Sequence, residues 1–232
     1  MASRRFAELD WCRTPMGELS LRRRREPVLD VDVYEIKLGD EFLMSSLFTV
    51  AEVELARLAL AAHPGSTLDV AVGGLGLGYT AHAALEDRRV RSLTVIDALG
   101  EVIGWHERGL LPLGEELTAD PRCHLVHGDF FATIAAPPRH RMHVILLDID
   151  HAPGHVLRPS HADFYTPAGL RALTAHLHPG GVFGLWSNDP PDETFGAALT
   201  ETFREWQAHV VTFHNHLQDR ESANTVYVAI AP

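Results

Sequence analysis

A run of glycines, Gly73-Gly74-Leu75-Gly76-Leu77-Gly78, constrains this chain more than any other feature. It follows a short apolar run at 68–72 that reads as a buried strand, and it precedes a helix candidate at 79–86. Glycine tolerates positive φ and, lacking Cβ, lets the backbone come close to a ligand. In open α/β sheets ligands bind at the carboxyl ends of strands, where such a turn lies. A glycine motif alone is as readily a tight turn with no ligand. Asp97 sharpens it. It closes the next apolar run, 93–96, at about the 20-residue spacing where an acid accepts from ribose hydroxyls. Gly74, Gly76 and Gly78 together with Asp97 therefore point to a nucleoside.

The stretch Gly76-Leu77-Gly78-Tyr79-Thr80-Ala81 also fits the dinucleotide pattern, so a nicotinamide cofactor stays open at this point. Two features count against it. The chain ends in two strand-like runs, 209–213 and 225–230, with no helix between them, which does not suit a second mononucleotide-binding half. In addition, Gly128-Asp129-Phe130 follows a third strand at 124–127. There the Asp129 carboxylate is placed to accept from an adenine amine, and the Phe130 ring to cover the base.

From residue 68 onward strands and helices alternate. Strand runs at 143–147 and 182–186, a helix opening at Thr166-Pro167 and stopping at Pro179-Gly180-Gly181, and a helix over 192–206 complete the pattern. It predicts an α/β fold with a mostly parallel seven-stranded sheet and an antiparallel C-terminal hairpin. Residues 1–48 read as a β-rich N-terminal extension, with strands at 17–25, 31–38 and 41–46, and residues 49–232 as a Rossmann-like adenosyl-binding domain. Thr49-Val50-Ala51-Glu52 has the form of a capping box opening a helix that ends at His63-Pro64-Gly65. The basic run Arg22 to Arg25 reads as a solvated strand edge.

Composition narrows the setting. The net charge of −11 argues against a nucleic-acid partner, which selects basic faces. Cys12 and Cys123 are the only cysteines, so a reduced, cytoplasmic setting without disulfides is expected. No apolar run approaches the roughly 20 residues that cross a bilayer, and no membrane partner or secretory leader is expected. His151, His155 and His161 fit no metal-ligand spacing, and no metal is expected.

Several segments resemble the spermidine synthase-like group of the class I methyltransferase superfamily. Gly-Glu-Leu-Ser-Leu at 17–21 and Tyr-Glu-Ile-Lys-Leu-Gly-Asp-Glu-Phe at 34–42 look like its N-terminal β-extension. Leu-Thr-Val-Ile-Asp at 93–97 followed by Glu101-Val102-Ile103-Gly104-Trp105 looks like its ribose-binding segment, and Gly128-Asp129 matches its adenine position. Asp163-Phe164-Tyr165 and Leu177-His178-Pro179-Gly180-Gly181 match its later helix and strand entry. The resemblance implies a Rossmann-like class I methyltransferase fold, a homodimer, and a sulfonium donor. That donor is S-adenosylmethionine, or decarboxylated S-adenosylmethionine where aminopropyl is the group moved.

The chain also departs from that family. Where its members carry an Asp in the Gly-rich turn, this chain has Leu75, Gly76 and Leu77. Where they carry Asp-Ser-Ser-Asp-Pro, it has Asp148-Ile149-Asp150-His151-Ala152-Pro153, with His151 in place of the second Asp. The family's Tyr-His pair falls near Met44-Ser45-Ser46-Leu47, which has neither. These departures favour a methyltransferase-type enzyme acting on a small-molecule acceptor, with amines among the candidates. A polyamine aminopropyltransferase is the alternative, and a non-catalytic adenosyl-binding protein the third reading.

Alkyl transfer from a sulfonium needs alignment and, for a protonated nucleophile, a base. Asp148, at the end of the fourth strand, is expected beside the sulfur. Asp150 and His151 begin the next loop as base or acceptor-orienting candidates, imidazole being suited to proton transfer near neutral pH. Residues 151–162 read as a lid over the acceptor. Asn188-Asp189-Pro190-Pro191 reads as a loop and helix start.

Overall fold

Residues 5–232 are described by a computed structural model. The sequence alternation from residue 68 onward becomes a seven-stranded sheet. Its strands are β5 (Leu68–Gly73), β6 (Val90–Asp97), β7 (Cys123–His127), β8 (Met142–Leu147), β9 (Leu177–Ser187), β10 (Glu205–Asn215) and β11 (Arg220–Ile230). The order is β10-β11-β9-β8-β5-β6-β7. Neighbours from β9 through β7 run parallel, and β11 pairs antiparallel with both β9 and β10. The fold is the expected α/β arrangement with its antiparallel C-terminal hairpin.

Side-chain alternation along the strands divides the core in two, as the period of two requires. Val70, Val72, Val144, Leu146, Val226 and Val228 face one side. There they meet α1 (Val50–Ala62), α2 (Tyr79–Glu86), α3 (Gly100–Glu107) and α4 (Gly114–Ala119). Ala71, Ile145, Leu147, Phe183, Tyr227 and Ala229 face the other side, against α5 (Phe130–Ala135), α6 (Pro167–Ala175) and α7 (Glu193–Thr202). Gly184 in β9 keeps α1 close, because a Cβ there would meet Leu55 at 2.9 Å and Ala59 at 3.0 Å.

The N-terminal region is a four-stranded antiparallel sheet in the order β1-β2-β3-β4, built from β1 (Phe6–Thr14), β2 (Gly17–Glu26), β3 (Val31–Leu38) and β4 (Glu41–Ser45). Its buried Leu19, Leu21 and Ile36 join the same apolar cluster as α1 and β5. Asp10 of β1 fastens this sheet to α3. Its carboxylate accepts from the indole N–H of the fully buried Trp105 at 2.8 Å and from the Arg108 guanidinium. Arg108 is the main reason that the Asp10 carboxyl is held below its usual range.

Four expectations are corrected. Arg22 to Arg25 lie on β2, an inner strand, so they do not guard an edge. Arg24 instead ion-pairs with Glu26 and Glu35 at 2.7 Å, and Arg25 with Asp30 at 2.8 Å. The helix expected to run to 206 ends at Thr202, and Trp206 belongs to β10, where its strand neighbours pair with β11. Pro179, Gly180 and Gly181 do not separate α6 from a strand, since β9 runs through them from Leu177. Finally, Thr49 makes no side-chain capping bond, and Glu52 turns inward with 7% exposure.

Replacing Asp10 with Ala leaves the Trp105 N–H buried without a partner. It should lower unfolding stability by about 1–3 kcal/mol in urea titrations, the usual cost of an unsatisfied buried donor.

Candidate functional site

The switch in strand order falls at β5, whose chain neighbour β6 lies on one side and β8 on the other. Crevices at such points, beyond the carboxyl ends of the strands, are where α/β sheets take ligands. Here the strands deliver Gly74 after β5, Asp97 at the end of β6, and Asp148 after β8 to one cleft of about 870 Å³, counted with its open mouth. The N-terminal sheet supplies the facing wall through Ile36, Leu38, Leu43 and Met44. Trp186 of β9 and the segment after β8 close the remaining side.

The Gly-rich turn is held by three side chains, those of Asp97, His106 and Met44. Asp97 accepts from Leu75 N–H at 2.8 Å and from Leu99 N–H at 2.8 Å, and the Gly76 amide faces it. Burial raises the Asp97 carboxyl, and these amides oppose that rise. His106 of α3, fully buried, bonds the Gly76 carbonyl through Nε2 at 2.9 Å. A carbonyl only accepts, so Nε2 carries the proton. Burial holds the His106 imidazole below its usual range. From β4, Met44 Sδ receives Leu77 N–H at 3.2 Å. Gly74, at φ 94°, packs so tightly that a Cβ would strike the Asp148 carbonyl. Leu75 and Leu77 point into the core.

The acidic floor is Asp148 with Glu52. Thr80 of α2 donates its hydroxyl to Asp148 Oδ2 at 2.7 Å and also lies 3.4 Å from the Glu52 backbone carbonyl. The single hydroxyl hydrogen goes to the shorter contact, so Thr80 anchors Asp148 and lies against the backbone of Glu52. Burial, opposed by the Thr80 hydrogen bond, lifts the Asp148 carboxyl to about 6. Burial and then the Asp148 charge lift Glu52 to about 8.

The loop after β8 is anchored rather than loose. Asp150 is 2% exposed, and its carboxylate receives Leu157 N–H, His161 Nδ1 and the Tyr165 hydroxyl, each at 2.8 Å. His161 stacks on Phe131 with centroids 3.9 Å apart, and a 3-10 helix spans Pro159–Tyr165. This leaves His151 and Leu157 facing the cleft.

The sequence-derived candidates therefore divide. Gly74, Gly76, Asp97, Asp148 and His151 line the cleft together. Gly78, at φ 91°, caps α2 and packs against Leu117 and His106 instead. Asp150 is turned from the cleft into its buried cluster. Asp129 is exposed and caps α5 by accepting from Ala132 N–H at 3.0 Å, and Gly128 lies beside it off the cleft wall. Phe130 is 2% exposed and packs under β5, where a Cβ on Gly73 would meet its ring. It is a core residue, because the first turn of α5 faces the lower apolar layer. Among the described residues no group of three or more His, Cys, Asp or Glu side chains is placed to hold a metal. No described helix is long and apolar enough to cross a membrane.

Sequence reasoning missed Glu52, Thr80, His106, Met44 and Trp186. Glu52 was legible only as a capping residue. Met44, His106 and Thr80 take their roles from residues distant in sequence, Leu77, Gly76 and Asp148, and Trp186 from its place on the cleft wall.

No family model matches the chain. Solved structures do. The spermidine synthase of Thermotoga maritima superposes with a TM-score of 0.74 at 17% identity, over 96% of this chain and 72% of that one. A spermidine synthase in complex with the transition-state analogue AdoDATO gives 0.76 at 17% identity, over 96% and 73%. A probable spermidine synthase from Corynebacterium glutamicum gives 0.66 at 16% identity, over 95% and 79%. The chain has a spermidine synthase-like fold. Within that fold the cleft described above lies at the switch point of the sheet, between the two β-layers of the molecule.

Two outcomes test the energetics of this site. Asp150→Ala strands Tyr165, His161 and Leu157 N–H together, and should cost about 3–5 kcal/mol in denaturant unfolding, as losing one partner of a buried charged cluster does. Glu52 is protonated in the folded chain between its ordinary 4.5 and about 8, while the unfolded chain has released that proton. Its contribution to stability therefore falls as pH rises through that window. Glu52→Gln should raise the melting temperature at about pH 8.5, by roughly 2–4 °C per kcal/mol of relieved charge burial. The gain should vanish near pH 4.

Proposed function

We propose that the protein is a transferase that moves an aminopropyl-type group from decarboxylated S-adenosylmethionine to a small amine. The observation that carries this reading is the state of the Gly-rich turn. Gly74 N–H is given to the Ile96 carbonyl, Leu75 N–H to Asp97, Leu77 N–H to Met44 Sδ, and Gly78 N–H to the Leu75 carbonyl. Four of the five turn amides are thus held by the protein, and the Gly76 amide faces the Asp97 carboxylate, so the turn offers little to the carboxylate of intact S-adenosylmethionine. Among the described residues no Lys or Arg lines the cleft, whereas Glu52, Asp97 and Asp148 do. A buried carboxylate needs a paired cation or hydrogen bonds, so a donor that lacks one fits better. The names of the similar structures point the same way. Methyl transfer from intact S-adenosylmethionine is the reading that these contacts support less.

The donor supplies an alkyl carbon activated by the neighbouring sulfonium charge. The protein's part is alignment and proton handling. Asp97 keeps lone pairs beyond its turn amides for the ribose hydroxyls. The apolar wall of Ile36, Leu38 and Leu43 excludes water from the reacting atoms. Asp148, with its carboxyl near 6, is ionised at neutral pH and placed to accept the proton that an attacking ammonium must lose. His151 is the second proton acceptor on the cleft wall and stands on the rim of the anchored loop.

Calorimetric titration tests the reading. Methylthioadenosine should bind at least about tenfold tighter than S-adenosylhomocysteine, whose carboxylate meets acid and few free amides. The reverse order would overturn the aminopropyl assignment and restore methyl transfer. Asp97→Ala should weaken methylthioadenosine by about tenfold or more, through the ribose contact and the loosened turn. An unchanged affinity would refute the ribose role.

A further inference from the structure

The three carboxylates of the cleft differ in what already occupies their oxygens. Asp97 receives turn amides and Asp148 receives Thr80. Glu52 lines the cleft at 7% exposure, and among the described residues no donor from another residue bonds its carboxyl. The Thr80 contact reaches only its backbone carbonyl. A carboxyl withdrawn from bulk water, with no protein donor and only the cleft before it, is costly unless a ligand supplies the donor. Its only compensation within the fold is its place in the first turn of α1, next to its own amide. An acid serving only that helix end would lie at the surface. This one is turned into a cavity that also holds Asp148 and, among the described residues, has no basic side chain on its walls except the imidazole of His151.

We infer that Glu52 is the residue that reads the charge of the ligand: with Asp148 it forms an acidic site on the α1 wall of the cleft for an alkylammonium group. The inference rests on the proposed adenosyl donor for where the ammonium sits relative to the sulfur, and on the cleft alone for its charge. An ammonium has three donors and no acceptor. Glu52 has free acceptor sites, and Asp148 keeps those that Thr80 does not use. The same chain length ending in a hydroxyl brings no positive charge to meet the negative charge that the pair carries. Discrimination therefore comes from leaving Glu52 unpaired, which penalises the neutral ligand more than it rewards a longer apolar chain.

The test uses the full chain and three thioadenosines that differ only in the sulfur substituent: methyl, hydroxypropyl and aminopropyl. The wild type should bind the aminopropyl compound about tenfold or more tighter than the hydroxypropyl one. In Glu52→Gln that preference should fall to about twofold or less, with methylthioadenosine affinity held within about twofold. A preference that survives in Glu52→Gln, or is absent from the wild type, overturns the inference. The hydroxypropyl comparison needs no variant, so it decides even if the substitution disturbs folding. If none of the thioadenosines binds, the adenosyl reading fails, and propylamine alone then decides the role of Glu52. Saturable propylamine binding by nuclear magnetic resonance, lost in Glu52→Gln, sustains it, and no binding to the wild type overturns it.

Discussion

The carboxylate of Asp97 is the contact on which the site depends. It lies at the end of β6 and accepts the amides of Leu75 and Leu99, with lone pairs to spare. It thereby fixes the turn after β5 to the start of α3. His106 pulls on the same turn from below, and Met44 reaches it from the N-terminal sheet. Backbone with positive φ at Gly74, Gly76 and Gly78 has few conformational restraints of its own. These three side chains supply the restraint. The consequence is chemical as well as structural, because a turn whose amides are mostly held by the protein offers little to an anion.

The acidic floor completes that logic. Thr80, lying against the backbone of α1, anchors Asp148, and Glu52 sits beside it in an apolar enclosure. Two carboxyls this close and this buried cannot both ionise cheaply, so their protons leave at about 6 and about 8. At neutral pH the pair keeps one proton and one charge. An anionic, proton-exchanging site facing an apolar wall suits a cationic ligand. Behind it, the buried Asp150 cluster holds the following loop in place, so His151 is presented from a fixed frame.

Much of the fold was legible because its signals are local. Alternation of apolar residues on β5, β8 and β11, glycines after β5, and Thr166-Pro167 at the start of α6 each report their own surroundings. The misreadings have a common cause. Trp206 looked helical because the pattern of α7 continues past Thr202, yet pairing with β11 claimed its strand. Arg22 to Arg25 looked like an edge because charge commonly guards edges, yet β1, which the pattern did not announce, covers that side. Phe130 looked like a base-covering ring because it follows Gly128-Asp129, yet the orientation of α5 turned it into the core.

By itself the sequence determined the strand order of events along the chain, the Gly-rich turn with its Asp97, and the arrival of Asp148 and His151 at the same end of the sheet. Those follow from period, turn chemistry and spacing, which act over a few residues. Only the tertiary structure decided which acids face the cleft. Asp150 and Glu52 look alike as exposed-type residues in a linear reading. Packing buried Asp150 among three donors and left Glu52 beside the cleft with none. Desolvation and the supply of hydrogen-bond donors are properties of the assembled interior, so the division between a structural and a ligand-reading carboxylate had no signature in the chain.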